Sequence, residues 1–275
     1  MTTIPVLPAR SDVYTHGHHE SVLRAHRRRT AENSAAYLLP VLEPHHRLLD
    51  VGCGPGTVSV DLAGRVGEVV GVDTSAAVVE AARATAADAG RDNASFSVAD
   101  AYALPFPDAS FDVVHAHQLL QHLTDPVAAL REMRRVARPG GWVAVRDADY
   151  SGMTWYPASP GLDEWMALYH EVTEANKADA DAGRKLLSWV QEAGFDPDGV
   201  LASAGVWCYA SPEERAWWSG LWADRAVASD FAAQALEYGL ADEVGLELLA
   251  DAWRDWGQER DGWFAILHGE VLARV

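Results

Sequence analysis

From residue 47 to residue 150 short apolar runs alternate with longer stretches of helical periodicity. Strands are predicted at 47–51, 69–73, 95–98, 111–115 and 142–146. Helices fill the intervals at 57–63, 76–89, 117–121 and 126–137, with Ser75 placed to cap the second and apolar residues at 127, 130, 133 and 136 forming one face of the last. Pro139-Gly140-Gly141 reads as a stop and turn before the fifth strand. Strands that alternate with helices in this way predict a parallel α/β sheet.

The flanks are more helical. Residues 20–42 carry Ala31, Ala35, Leu38 and Leu42 at three-and-four spacing and predict one or two cap helices, closed by Pro44. Helices are expected at 161–177 and 182–193, an extended segment at 200–210, and two to four helices within 212–258. Weak alternation over 263–275 predicts a last strand. The late helical block is then an insertion between two strands of one sheet.

The sharpest local signal is Leu48-Leu-Asp-Val-Gly-Cys-Gly-Pro-Gly-Thr57, a strand running straight into Gly52, Gly54 and Gly56 and then a helix. Glycines at this spacing let the backbone turn sharply and approach a ligand closely. The second strand ends in Asp73, placed to accept from a ribose diol, and the third leads to Asp100-Ala101, where a carboxylate can accept from an adenine amino group. A dinucleotide site wants G-x-G-x-x-G and an open helix N-terminus for a pyrophosphate. This loop is G-x-G-x-G, Pro55 removes an N–H donor, and Asp50 stands just before it, so a ligand with an ammonium group fits better than NAD.

The ordered set Asp50-Val-Gly-Cys-Gly-Pro-Gly56, Gly71-Val-Asp-Thr-Ser75, Ala99-Asp-Ala101, Leu104-Pro-Phe-Pro-Asp108, Ser110-Phe-Asp-Val-Val114 and Leu130-Arg-Glu-Met-Arg-Arg-Val136, followed by Pro139-Gly-Gly141, resembles the motifs of class I S-adenosylmethionine-dependent methyltransferases. It is most similar to the branch of the ubiquinone and menaquinone C-methyltransferases, over roughly residues 45–150. The resemblance implies a seven-stranded, mostly parallel Rossmann-like sheet with an antiparallel last strand, and S-adenosylmethionine as cofactor. It implies that Gly52, Cys53 and Gly54 line the methionine part, Asp50 orients its amino group, Asp73 with Thr74 holds the ribose, and Asp100 with Ala101 the adenine. His117 falls where the family touches the methionine end and faces the acceptor. The domains that follow are an N-terminal helical cap or lid (1–46), a catalytic core (47–210 with 259–275) and a helical insertion covering the acceptor (211–258).

Methyl transfer needs a base only where the acceptor must lose a proton. Candidates are His117, His122 and Asp147. Tyr14, Trp155, Tyr156, Trp218 and Trp222 are candidate walls of an acceptor pocket; tryptophans three or four apart also suit plain helix packing. The cluster Tyr14, His16, His18, His19, Glu20 lacks helical ligand spacing, so no metal is assigned and a lid is the preferred reading. The basic run Arg24, Arg27, Arg28, Arg29 is read as a solvated or acid-paired helix face, with the alternative that one arginine meets a substrate carboxylate. Cys53 has no local basic group to make it a reactive thiolate.

Composition narrows the partners. The 275 residues are 49% hydrophobic and carry a net charge of −18, which disfavours nucleic acid and anionic membrane surfaces. Two cysteines, no secretory signal and no apolar span of membrane length predict a cytoplasmic protein, and a homodimer is compatible with all of this. The acidity is uneven, since residues 151–275 hold 8 basic and 22 acidic residues together with ten of the 11 tryptophans. That overlap favours neutral or cationic acceptors, unless the acids form a solvated outer face. The function expected is methylation of a small molecule on carbon or oxygen. The alternatives are a peptide or protein acceptor, a cofactor-binding protein with another chemistry, and an NAD-linked oxidoreductase.

Overall fold

The computed structural model describes residues 12–17 and 20–275, and three short N-terminal pieces precede its sheet. These are α1 (Glu20–His26), α2 (Ala31–Ser34) and a 3-10 turn at Leu39–Val41, in place of one or two longer cap helices. The sheet contains β1 (Arg47–Val51), β2 (Glu68–Asp73), β3 (Ala94–Val98), β4 (Phe111–His117), β5 (Ala137–Tyr156), β6 (Val200–Tyr209) and β7 (Trp263–Arg274). Their order is β3-β2-β1-β4-β5-β7-β6. β1 to β5 pair in parallel, while β7 runs antiparallel to both neighbours. The expected seven-stranded sheet with an antiparallel last strand is therefore present.

The connecting helices are α3 (Thr57–Ala63), α4 (Ala76–Asp88), α5 (Pro126–Val136), α6 (Pro160–Ala175) and α7 (Ala182–Glu192), and the late block forms α8 (Pro212–Ala228), α9 (Asp230–Glu237) and α10 (Glu243–Gln258). Local sequence caps several of them. The Ser75 side chain accepts from Val78 N at the head of α4, as expected, and Asp125 with Pro126 opens α5. Ser211-Pro-Glu-Glu214 forms a capping box on α8.

Alternating strand residues divide between two faces. Leu49, Val51, Val114 and Val145 pack on one side with Leu130 and Met133 of α5 and Leu186 of α7, while Leu48, Val69 and Val113 pack on the other with Leu38 and Leu62. A separate aromatic core joins α6 to α8, α9 and α10 over the far ends of β5 and β7, with Trp165, Trp222 and Trp253 fully buried in it. The expected domain split shifts accordingly. Residues 160–175, assigned from sequence to the catalytic core, share their hydrophobic interior with the 211–258 insertion.

Two elements differ from expectation in ways that move candidate residues. β4 continues through His117, and the helix expected at 117–121 is only a 3-10 turn at Leu120–His122 after Gln118, whose φ is +51°. β5 is 20 residues long, so Trp155 and Tyr156 lie on the strand and not beyond it.

Candidate active site

The carboxyl ends of β1, β2, β3 and β4 open into one cavity of about 770 Å³. At its first end the chain turns through Gly52, Gly54 and Gly56, all at positive φ. Gly54 is held at φ +54°, and a Cβ there would meet only His26 Nδ1, at 3.6 Å, so the conformation and not crowding demands glycine. Gly54 N–H donates to Asp73 Oδ2 at 3.2 Å and Ser75 N–H to Asp73 Oδ1 at 3.0 Å. The Asp73 carboxylate thus ties the loop to the head of α4 and still faces the cavity. Asp100, exposed beyond β3, accepts from Tyr102 N at 2.9 Å through one oxygen, and its other oxygen has no partner among the described residues.

Asp50 is buried beneath the loop. It accepts from His115 Nδ1 at 2.8 Å and from the Ser59 hydroxyl at 2.5 Å, a contact that the β1–β4 register predisposes by setting Asp50 beside His115. Each oxygen retains further acceptor capacity. Burial next to Asp50 and Asp73 pushes the Cys53 thiol up, so it stays protonated and serves as a small wall.

At the other end the strap of residues 12–17 crosses the cavity. Asp12 accepts from Thr124 N at 2.9 Å, the Tyr14 ring meets His122 edge-on at 4.7 Å, and His16 Nε2 lies 3.2 Å from the Tyr150 hydroxyl and 3.0 Å from that of Tyr169. Asp12, Tyr14 and His16 of this strap line the cavity, whereas His18 and His19 lie outside the described residues. The wall beyond is aromatic: Trp207, Tyr209, Trp217, Trp218 and Trp222 all face the cavity.

The three candidate bases separate clearly. Asp147 does not line the cavity; it is fully buried in β5, accepts from Gln121 N at 3.1 Å, and burial raises its pKa to about 8. A carboxyl protonated at neutral pH is no base, so Asp147 is a clamp on the turn after β4. His122 lines the cavity, but its Nε2 accepts from the Gln121 amide at 3.0 Å, and burial holds its pKa down to about 3. Its free lone pair is therefore used, and its proton sits on Nδ1. His117, at the end of β4, lines the cavity with neither ring nitrogen partnered among the described residues. Burial, with Arg29 and Arg146 nearby, keeps this imidazole neutral.

Every residue expected at the cofactor, namely Asp50, Gly52, Cys53, Gly54, Asp73, Thr74, Asp100, Ala101 and His117, lines the cavity. Of the expected acceptor walls, Tyr14, Trp218 and Trp222 do so as well. Trp155 and Tyr156 do not: Trp155 stacks on Phe264 at 5.7 Å, an antiparallel neighbour on β7, and Tyr156 is 56% exposed. Sequence reasoning missed Gln118, Tyr150, Trp207, Tyr209 and Arg225, which come from four separated segments and belong to no motif. Of the basic run, Arg24 pairs with Asp224 and Arg27 with Glu20 at 2.7 Å, while Arg28, over Trp217, and Arg29, donating to Gln118, line the cavity.

The residues present fit S-adenosylmethionine. A glycine cradle, the half-buried Asp73 facing the cavity and the unpartnered oxygen of Asp100 follow in the order that amino acid, ribose and adenine require. A family model described as "Methyltransferase domain" matches residues 42–194. An uncharacterised methyltransferase of Schizosaccharomyces pombe is 34% identical over 268 residues, covering 94% of this chain and 95% of the relative. A 27-O-demethylrifamycin SV methyltransferase of Amycolatopsis mediterranei is 37% identical over 168 residues, 60% of this chain and 59% of its own length. Among solved structures, the YcgJ protein of Bacillus subtilis shares the fold with a TM-score of 0.59 at 21% identity, covering 88% of this chain and 98% of that one. The chain belongs to the class I S-adenosylmethionine-dependent methyltransferases, and S-adenosylmethionine is its cofactor.

Proposed function

We propose that the acceptor is a small molecule methylated on oxygen or carbon inside the aromatic end of the cavity. The observation that carries this is the continuity of one space of about 770 Å³ from the glycine loop to Trp222, crossed by the 12–17 strap and walled by α8. Ligand pockets of roughly 300–1,000 Å³ enclose small molecules, whereas a peptide or protein acceptor wants an open groove. From the 211–258 insertion, α8 acts as the cover. The rifamycin relative, named for methylation of an oxygen on a small molecule, supports the same reading.

When bound, the cofactor supplies a methyl group on a sulfonium sulfur. The chain's own tasks are to hold the acceptor in line, exclude water and take up a proton. Gly54, Asp73 and Asp100 hold the cofactor, and Trp218 and Trp222 press on the acceptor body. His117 is the proton acceptor, since it is neutral and has a free lone pair. A neutral base serves O–H and C–H acceptors; a free amine needs none to attack.

The test is transfer of labelled methyl from S-adenosylmethionine to a panel of phenols, enolisable diketones, amines and peptides. Label on oxygen or carbon of small acceptors is expected. Label confined to peptides, or saturable cofactor binding with no methylated product, overturns the proposal.

A further inference from the structure

We propose that the acceptor end of the cavity is an anion seat, in which Arg225 and Arg29 receive an oxyanion carried on a flat, apolar acceptor. The inference rests on the reading of this cavity as the acceptor chamber.

Three arginines line the cavity, Arg28, Arg29 and Arg225, and none has a carboxylate within ion-pair distance among the described residues. Acids are not scarce in a chain with 40 of them against 22 Lys and Arg. They are directed elsewhere. Asp224 turns outward to pair with Arg24, which leaves Arg225, the next residue, facing inward alone. Arg146 lies over the same Trp207 ring as Arg29 but is matched by Glu270 at 3.0 Å.

Arg225 is 5% exposed, and its protein partners are the Ser21 carbonyl at a long 3.4 Å and the face of Trp222 at 5.0 Å. Arg29 donates to Gln118 Oε1 and lies 5.8 Å from the Trp207 ring. Each leaves its Nε–H without an acceptor among the described residues. An arginine fork offers five donors, so both guanidinium groups are under-satisfied. A buried cation without a counter-ion is costly, and a ligand that brings the missing charge recovers that cost on binding.

The acids that also line this space are occupied or remote. Glu214 accepts from Ser211 and Ala210 N–H groups in the capping box of α8, and Asp12 accepts from Thr124 N. Asp50, Asp73 and Asp100 belong to the cofactor end. Burial lowers both guanidinium groups, holding Arg29 down to about 10, with Arg225 nearby adding to the effect on Arg29, and Arg225 below its ordinary value. Around them Tyr209, Trp217 and Trp222 supply flat apolar walls. The acidic sequence of this half favoured neutral or cationic acceptors; the side chains that reach the cavity reverse that expectation.

Calorimetry on protein loaded with S-adenosylhomocysteine tests the seat, using 2-naphthoate, 2-naphthamide and 2-naphthol. Naphthoate is expected to bind at least tenfold tighter than naphthamide, and Arg225→Gln to abolish the difference while leaving naphthamide unchanged. Arg29→Gln, at a half-buried position, gives the same readout should Arg225→Gln fail to fold. Naphthol that gains affinity as its hydroxyl ionises marks a phenolate-type acceptor, whereas tight binding of naphthoate alone marks a carboxylate; either supports the seat. Equal affinity for naphthoate and naphthamide overturns the inference and spares the chamber. Binding of neither probe to the loaded protein removes the chamber and the seat together.

Discussion

Acid should unfold this protein far earlier than its carboxylates require, because four histidines are buried in the neutral form. Burial is the main cause in each case: it holds His122 down to about 3 and keeps His16, His117 and His268 well below the ordinary imidazole value. Each has a folded pKa below its unfolded one, so the unfolded chain binds the proton first. Their contribution is complete above about pH 6.5 and is lost as pH falls through and below it. Between pH 7 and pH 5 His122 costs about 2 kcal/mol, the ceiling that protonation of an unfolded imidazole sets, and the other three add in the same direction, up to about 8 for all four. Asp147 opposes them. Raised to about 8, it is protonated in the fold first, and it returns about 3 kcal/mol over the same interval. The net loss reaches up to about 5 kcal/mol, comparable with the whole stability of many domains. Thermal melts followed by tryptophan fluorescence should fall by roughly 10–20 °C from pH 7 to pH 5. His117→Asn should recover part of that loss, up to about 2 kcal/mol, as one proton leaves the linkage. A melting temperature that stays level over this range, or a slope unchanged in His117→Asn, refutes the buried neutral histidines.

Asp73→Ala should weaken S-adenosylhomocysteine binding by about 1–3 kcal/mol in calorimetry, since it removes the acceptor facing the ribose and releases Gly54 and Ser75 N–H; unchanged affinity takes Asp73 out of the site. His117→Asn should lower kcat on an acceptor that must lose a proton and shift the pH profile, with the cofactor affinity preserved, and an unaltered profile denies it the role of base. Trp253→Ala, with Trp165 at 4.8 Å and Phe264 at 5.5 Å, should cost about 3–5 kcal/mol of stability in urea unfolding, whereas Tyr156→Ala, at an exposed ring, should cost under about 1. Equal losses from the two would contradict the assignment of Trp253 to the insertion's core.

The cofactor end was legible because it is local. Strand, glycine turn and acid lie within a few residues of each other, and the parallel sheet brings successive strand ends to one edge whatever the remaining sequence does. β5 was cut short for the opposite reason. Asp147 and Asp149 break its apolar pattern, yet both are buried: Asp147 on backbone N–H groups after β4, and Asp149 on Arg184 at 2.6 Å, 35 residues away. A partner supplied from another helix is invisible to periodicity. The tryptophans divide by the same kind of remote contact, since Trp218 and Trp222 share one face of α8 and touch both the cavity and the core, while Trp253 is wholly core and Trp155 is covered by β7.

Charge summed along the chain carries no direction, because a helix has two faces and a sum has none. In α6 and α10 the acids Glu164, Glu171, Glu247, Asp251 and Asp255 are exposed while Trp165, Tyr169 and Trp253 are buried. α8 carries the division between consecutive residues, with Asp224 paired at the surface and Arg225 inside. The outer field of such a molecule is negative and fades within about 8 Å at physiological ionic strength, whereas a guanidinium in a low-dielectric cavity is scarcely screened. An anionic acceptor is therefore repelled weakly on approach and held strongly once inside. On the proposed anion seat, discrimination among acceptors falls to the few cavity-lining arginines and not to the surface acids.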